Sequence, residues 1–197
     1  MNNTVQKIAK ALNVLVLIAL VCNVILVYLV PTAVILSESS GGTGLLAGVA
    51  DYLGGLLHPG EDDILAARAA GSFIAWFWCW RNASGAMLTL FLTVSGACTA
   101  AILWQGRRVL ASILRGKPFS AENAVSLRRA AACSFVIAAA ALARVVFGVC
   151  HYHSPAPLLT YNALFVPVFA VFGLLCLVMA ALFRQAAEMQ AENDLII

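Results

Sequence analysis

The sequence predicts an all-α integral membrane protein, with four transmembrane helices arranged as two hairpins and an additional interfacial helix on the outer side. Hydrophobic residues make up 62% of the 197 residues and charged residues only 11%, whereas charged residues form about a quarter of a soluble domain. Such a chain cannot cover a water-exposed surface, so its solvent must be lipid. Four apolar runs are long enough to cross a bilayer, which takes about 20 helical residues. Residues 1–197 are therefore expected to form a single membrane domain.

The first run, residues 11–36, is predicted to be a retained helix rather than a cleaved signal peptide. The apolar core of a signal peptide has about 7–15 residues, and this run is longer and is not closed by a small-residue cleavage site. Two amide side chains, Asn13 and Asn23, lie within it. Such residues either line a polar path or hydrogen-bond to neighbouring helices, and the second role is the more common one.

Residues 37–82 are predicted to form an outer loop that contains the interfacial helix. In its second half, an apolar stretch brings Trp76, Trp78 and Trp80 close together in the sequence. Tryptophan prefers the membrane–water interface, so we expect this stretch to lie in the outer headgroup layer. Cys79 of this loop and Cys150 both fall near the outer surface. The sequence leaves open whether they form a disulfide.

The basic residues predict how the chain is oriented. The remaining runs are residues 83–104, 130–150 and 163–183, with a polar connector at 105–129 and a helix-prone tail at 184–197. Nine of the twelve Lys and Arg residues fall on the side of the termini and the connector, and two fall on the other side. Because positive charge accumulates in cytoplasmic segments, we predict that both termini and the connector are cytoplasmic.

The middle of the connector combines a helix stop with a helix start. Gly116 can take the left-handed position after a helix end, and Pro118 prevents the helix from continuing. Ser120 can cap a new helix, and Glu122 in its first turn faces the positive end of the helix dipole. The sequence therefore predicts two helices joined by a tight, basic turn.

The same turn carries a resemblance to a known family. The stretch GKPFSAEN at residues 116–123, the LRR at 127–129 and the C-terminal ENDLII at 192–197 are similar to YoaS-like bacterial membrane proteins. That family has four membrane helices and no established function, and it is often encoded beside a small helix-turn-helix regulator. The resemblance implies a multi-pass protein of the bacterial inner membrane that is tied to transcriptional regulation by a neighbour. It brings no catalytic residues with it.

Arg144 lies inside the third run and is the first candidate site residue. An arginine within a membrane span is a functional-site candidate by default. It could bind an anionic ligand or pair with an outer acid. The alternative is that its long side chain reaches outward to the interface, which is the more common behaviour.

Cys150, His151 and His153 provide side chains of the types that bind metals. Their spacing is shorter than that of recognised structural zinc sites, so we predict that no metal and no cofactor are bound. The sequence also lacks the HExxH, GxSxG and CxxC motifs, which mark several classes of enzyme. We therefore predict that the protein is not an enzyme.

The predicted function is a regulatory or partner-binding role on the cytoplasmic side. The residues predicted to dock a partner are Lys117, Phe119, Glu122, Asn123, Arg128 and Arg129. The acidic tail, with Glu188 and Glu192, can fold back onto the arginines of this set. The expected partners are the lipid bilayer and a cytoplasmic protein, without direct nucleic-acid binding, and a homo-oligomer is left open.

Two other functions compete with this one. The main alternative is a small transporter or channel subunit that uses Arg144, Asn13 and Asn23 along its path. The less favoured one is a redox or metal-handling membrane enzyme, which rests on Cys150 and the two neighbouring histidines.

Overall fold

The computed structural model describes residues 3–39, 77, 80, 83–116 and 120–194. Four long helices account for most of these residues: α1 (Asn3–Ser39), α2 (Ala83–Leu114), α3 (Ala121–Tyr152) and α4 (Tyr161–Asp194). A short 3-10 helix, Ala156–Leu159, lies between α3 and α4. No strand occurs in the described part of the chain. The predicted all-α class is confirmed, while the predicted outer loop and its interfacial helix lie almost entirely outside the described residues.

Each of the four helices is long and apolar enough to cross a membrane. Their apolar windows have mean hydropathies of 2.5, 1.9, 2.2 and 2.7 in chain order. In a bilayer every backbone amide and carbonyl must be paired within the protein, which continuous helices achieve. The protein is therefore a multi-pass helical membrane protein by the length and composition of its helices.

The chain divides into two compact units, one of which is Val24–Thr93. Within this unit the first turns of α2 contain threonines that bond to their own helix. The Thr89 hydroxyl donates to the Gly85 carbonyl at 2.9 Å, and the Thr93 hydroxyl donates to the Thr89 carbonyl at 2.8 Å. A hydroxyl satisfied in this way can be buried without a partner from another helix.

The other unit comprises Met1–Asn23 and Val94–Ile197, and it contains the antiparallel hairpin of α3 and α4. Its core consists of Ala130 and Ala131 of α3 and Cys176 of α4, with Ile102 of α2 packed against them. Gly173 of α4 lies so close to the ring of Phe135 that a Cβ atom there would meet ring carbons at 3.1 Å. Small residues thus let the two helices approach closely, as membrane helix pairs generally require.

The buried face of α3 is made almost entirely of small side chains. It runs along the whole helix through Asn123, Ala124, Ser126, Ala130, Ala131, Ser134, Ile137, Ala138, Ala141, Val145 and Gly148. Larger apolar residues of the same helix, such as Val136, Leu142 and Val146, are about half exposed. This arrangement suits a lipid solvent, because outward-facing apolar side chains cost nothing there, while the helix contact depends on close packing.

Candidate functional site

The turn between α2 and α3 has the local structure that its sequence predicts at both ends. Gly116 has a φ of +78°, in the left-handed region, and its amide donates to the carbonyl of Ile113 at 3.0 Å. Ser120 is extended, with φ −117° and ψ 145°, and its hydroxyl accepts a hydrogen bond from the amide of Asn123. Glu122 lies in the first turn of α3. The predicted stop at Gly116 and cap at Ser120 are confirmed, whereas residues 117–119 lie outside the described chain.

A buried side-chain hydrogen bond joins the two helices just behind this turn. Asn123 is only 2% exposed, and its Nδ2 donates to the Ser112 hydroxyl at 3.1 Å. Buried amide groups in proteins are almost always hydrogen-bonded, so this contact fixes the first turn of α3 against the last turns of α2. Asn123 was expected to project toward a partner, but the structure places it under the surface, where it supports the turn.

The end of α2 and the start of α3 enclose a polar cavity of about 610 Å³, called the turn cavity here. Its lining residues are Arg108, Ala111, Ser112, Arg115, Ser120, Ala121, Glu122, Asn123 and Ser126. Arg108 and Arg115 are exposed at its edge. They lie seven residues apart, Arg108 in the last turns of α2 and Arg115 directly after its end, and both border the same cavity. The cavity combines two cations with one acid, Glu122, so its net character is basic.

In the sequence, Arg108 and Arg115 contribute to the excess of basic residues that predicts the orientation of the chain. Their place in this cavity was not predicted. Ser112 was missed altogether, because a serine inside an apolar helix gives no sign of which residue it will meet. The i, i+7 spacing of the two arginines is the signal that could have placed them near each other. Of the predicted docking residues, Glu122 and Asn123 line the turn cavity.

Arg128 lies instead in a second depression, the α3–α4 groove, of about 620 Å³. Alanines and other apolar side chains form most of its surface, and Arg128, Arg184 and Glu188 provide its charges. The Arg184 Nε donates to Glu188 Oε1 at 2.9 Å. The expectation that the acidic tail folds back is not met, because α4 continues as one helix to Asp194. Glu188 pairs with its own helical neighbour one turn away, and Arg129 does not line the groove.

Arg144 lies near the opposite end of the hairpin, in a cavity of about 460 Å³. Its Nη1 donates to the side-chain oxygen of Asn162 at 3.0 Å, which links α3 to the first turn of α4. Tyr152, Ser154 and Thr160 also line the cavity. The partners predicted for Arg144 from the sequence did not include an amide. The contact with Asn162 joins two helices across their connection, and no pattern within one helix indicates it.

Asn13 and Asn23 of α1 present an unusual polar feature. Their Oδ1 atoms are buried and have no hydrogen-bond partner, and the same holds for Ser95 Oγ and Gln105 Oε1 of α2. An unpaired buried oxygen costs free energy, so these four positions favour a polar neighbour such as water. None of the four lines the cavity at Arg144.

The ring of His151 contacts two aromatic side chains of its own helix. The His151 ring stacks on Phe147 with centroids 5.3 Å apart, and it meets Tyr152 edge-on at 5.0 Å. His153 ends α3 with a φ of 48°. Among the described residues no group of three or more His, Cys, Asp or Glu side chains could hold a metal ion. Cys79, the other half of the possible disulfide with Cys150, is outside the described residues.

The fold and these cavities define a class: a helical multi-pass membrane protein with a basic turn between α2 and α3. The family can be stated as well. The chain belongs to the family described as "Protein of unknown function (DUF2975)", whose model matches residues 64–197. Comparison with curated proteins gives no match, and comparison with solved structures gives none either. The more specific YoaS-like naming and the neighbouring regulator stay predictions.

Proposed function

We propose that this protein is a regulatory membrane protein that docks an acidic segment of a cytoplasmic partner at its α2–α3 turn. The observation that supports this proposal is the turn cavity, in which Arg108 and Arg115 stand exposed over a buried Asn123–Ser112 hydrogen bond. Two arginines at the edge of one cavity suit carboxylates, because the guanidinium group binds them in a fixed, two-pronged geometry. The buried Asn123–Ser112 hydrogen bond fixes the end of α2 against the start of α3. The two arginines are therefore held in position before a partner binds.

If the turn served only to orient the chain in the membrane, it would require positive charge but no buried hydrogen bond between side chains. Positive charge acts on topology through its amount near the span, whatever the arrangement of the side chains. The Asn123–Ser112 bond orders two helix ends instead, which favours a surface that must keep its shape. Lys117 and Phe119, predicted as docking residues from the sequence, lie outside the described residues and stay predictions.

Docking from the cytoplasm requires the turn to face inward, and the bacterial inner membrane with both termini inside is part of the proposal. We expect a cysteine placed after Ile197 to be labelled by a membrane-impermeant maleimide only after the membrane is opened. The nine-to-two distribution of basic residues predicts this orientation. Native cysteines are replaced by serine first, and a cysteine at Leu159, between α3 and α4, provides the opposite control. Labelling of the C-terminal position in intact cells would contradict the orientation.

The docking site itself is tested by neutralising the cavity arginines. An Arg108→Gln/Arg115→Gln variant is expected to lose at least about tenfold in partner recovery from native membranes, since two charge-assisted contacts disappear. Arg107→Gln is the control, because Arg107 lies on α2 beside Arg108 but lines neither the turn cavity nor the α3–α4 groove. Insertion and thermal stability in detergent should stay unchanged in both. If every partner is recovered equally with the double variant, the turn has a structural role only.

A small transporter or channel subunit is the second candidate function. It is favoured by the unpaired buried oxygens of Asn13 and Asn23 and by the cavity at Arg144. Transport paths usually contain several charged groups or broken helices near the middle of the membrane. Here α4 continues through Pro167 without interruption, and neither Asn13 nor Asn23 lines the cavity at Arg144. This function therefore ranks below partner docking.

A further inference from the structure

The α3–α4 groove changes character along its length. At one end its lining is apolar, with Leu177, Ala180 and Ala181 from the spanning part of α4. Next to these residues lie the charges of Arg128, Arg184 and Glu188, and beyond the charges the lining is again mostly alanine. We propose that this groove is a binding site for one anionic phospholipid, whose acyl chain lies along the alanines and whose phosphate contacts Arg128 and Arg184. This site is separate from the proposed partner surface at the turn.

The match between the groove and a phospholipid rests on charge and on depth. Arg128 lies two residues before the apolar run at 130–150, and Arg184 immediately follows the one at 163–183. Both therefore stand at the same boundary of the bilayer in the antiparallel hairpin. Basic pockets between membrane helices at such a boundary bind anionic headgroups. A water-soluble protein segment could meet the charges but would have to enter lipid to reach Ala181, whereas a phospholipid already spans both environments.

Glu188 sets the strength of this site. Its carboxylate holds Arg184 at 2.9 Å, yet the two side chains are 60% and 72% exposed. Exposed ion pairs contribute little to stability, so a lipid phosphate can replace the carboxylate as the partner of Arg184. The two arginines leave a net positive charge in the groove even with Glu188 present. Removing the acid should consequently strengthen lipid binding, which is not expected of a residue with a purely structural role.

Native mass spectrometry of the full chain in detergent tests the charge requirement. The probes are phosphatidylglycerol and phosphatidylcholine with identical acyl chains. We expect one phosphatidylglycerol to be retained in preference to phosphatidylcholine, and an Arg128→Gln/Arg184→Gln variant to bind it roughly 30-fold more weakly, since each arginine near an anionic surface contributes roughly fivefold. Glu188→Gln should bind it several-fold more tightly. Arg129→Gln, adjacent in sequence but outside the groove, should change binding by less than about twofold.

Two further arms identify the occupant. Glycerol 3-phosphate carries the phosphate without acyl chains, and equal binding of that compound would overturn the lipid proposal in favour of a free-phosphate site. A photo-crosslinking residue at position 181, whose alanine is exposed in the groove, should capture lipid in native membranes. Capture of a second copy or of another protein there would also overturn it. Equal retention of the two lipids would also overturn the proposal. The same holds if Glu188→Gln does not bind phosphatidylglycerol more tightly, and this measurement decides the question even if the double variant does not fold.

Discussion

Ala131→Leu is expected to destabilise the protein by about 1–3 kcal/mol, the usual cost of forcing extra methylene groups into a packed core. Ala131 is fully buried and belongs to the cluster that joins α3 to α4. Leucine is more hydrophobic than alanine, so the change improves membrane insertion of the isolated helix. Its cost arises only where the helices meet, because the larger side chain pushes apart backbones that small residues had brought together.

Ala132→Leu is the matched control for this prediction. Ala132 is the next residue along α3 and is exposed, so leucine at this position projects toward lipid. The two variants have the same composition and the same mean hydropathy. Unfolding by SDS titration in mixed micelles, followed by circular dichroism, should separate them clearly. Equal stability of the two variants would show that the α3–α4 contact is not the source of the stability of this hairpin.

Asn123→Ala is expected to cost about 1–3 kcal/mol, because it removes one partner of a buried hydrogen bond. The bond runs from Asn123 Nδ2 to the Ser112 hydroxyl and ties α3 to α2. Ser112→Ala removes the acceptor and should cost a similar amount. If the bond is the reason for both losses, the double variant will cost less than the sum, with a coupling free energy of about 1 kcal/mol.

Ser134→Ala serves as the control partner in the same double-mutant cycle. The Ser134 hydroxyl donates to the carbonyl of Ala130 in its own helix at 3.0 Å, about three turns from Asn123. Distant sites with no shared partner are additive within a few tenths of a kcal/mol, so Ser134→Ala and Asn123→Ala should not couple. A coupling of zero between Asn123 and Ser112 would mean that the bond does not fix the turn. It would also weaken the case for the turn as a docking surface.

The fold class could be predicted from the sequence because lipid imposes a simple rule. Long apolar runs must become helices, and helix ends have local signals such as Gly116 and Ser120. These signals act between residues a few positions apart, which is why both ends of the turn were predicted correctly. The number of spans follows from the same local pattern.

The site could be predicted only in part, because its contacts join distant segments. The partner of Asn123 is eleven residues away on another helix, and the partner of Arg144 is eighteen residues away across the connection to α4. No periodicity within one helix predicts either contact. The alanines of α3 also do not indicate which face of the helix is buried, because alanine occurs both at helix interfaces and on lipid-facing surfaces. Only the packing shows that Ala131 is buried and Ala132 is exposed.

The length of α3 has a geometric consequence for the turn. Ten residues separate Ser120 from the start of the apolar run at residue 130, and at 1.5 Å per helical residue they span about 15 Å. The headgroup layer on each side of a bilayer is roughly 5–8 Å thick. The two helix ends therefore act as a short stalk that raises the turn about one helix turn or more above the lipid headgroups. On these predicted span boundaries a partner could reach Arg115 from the side without touching the membrane, whereas Arg108, four residues beyond the run at 83–104, lies about 6 Å from it and within the headgroup layer.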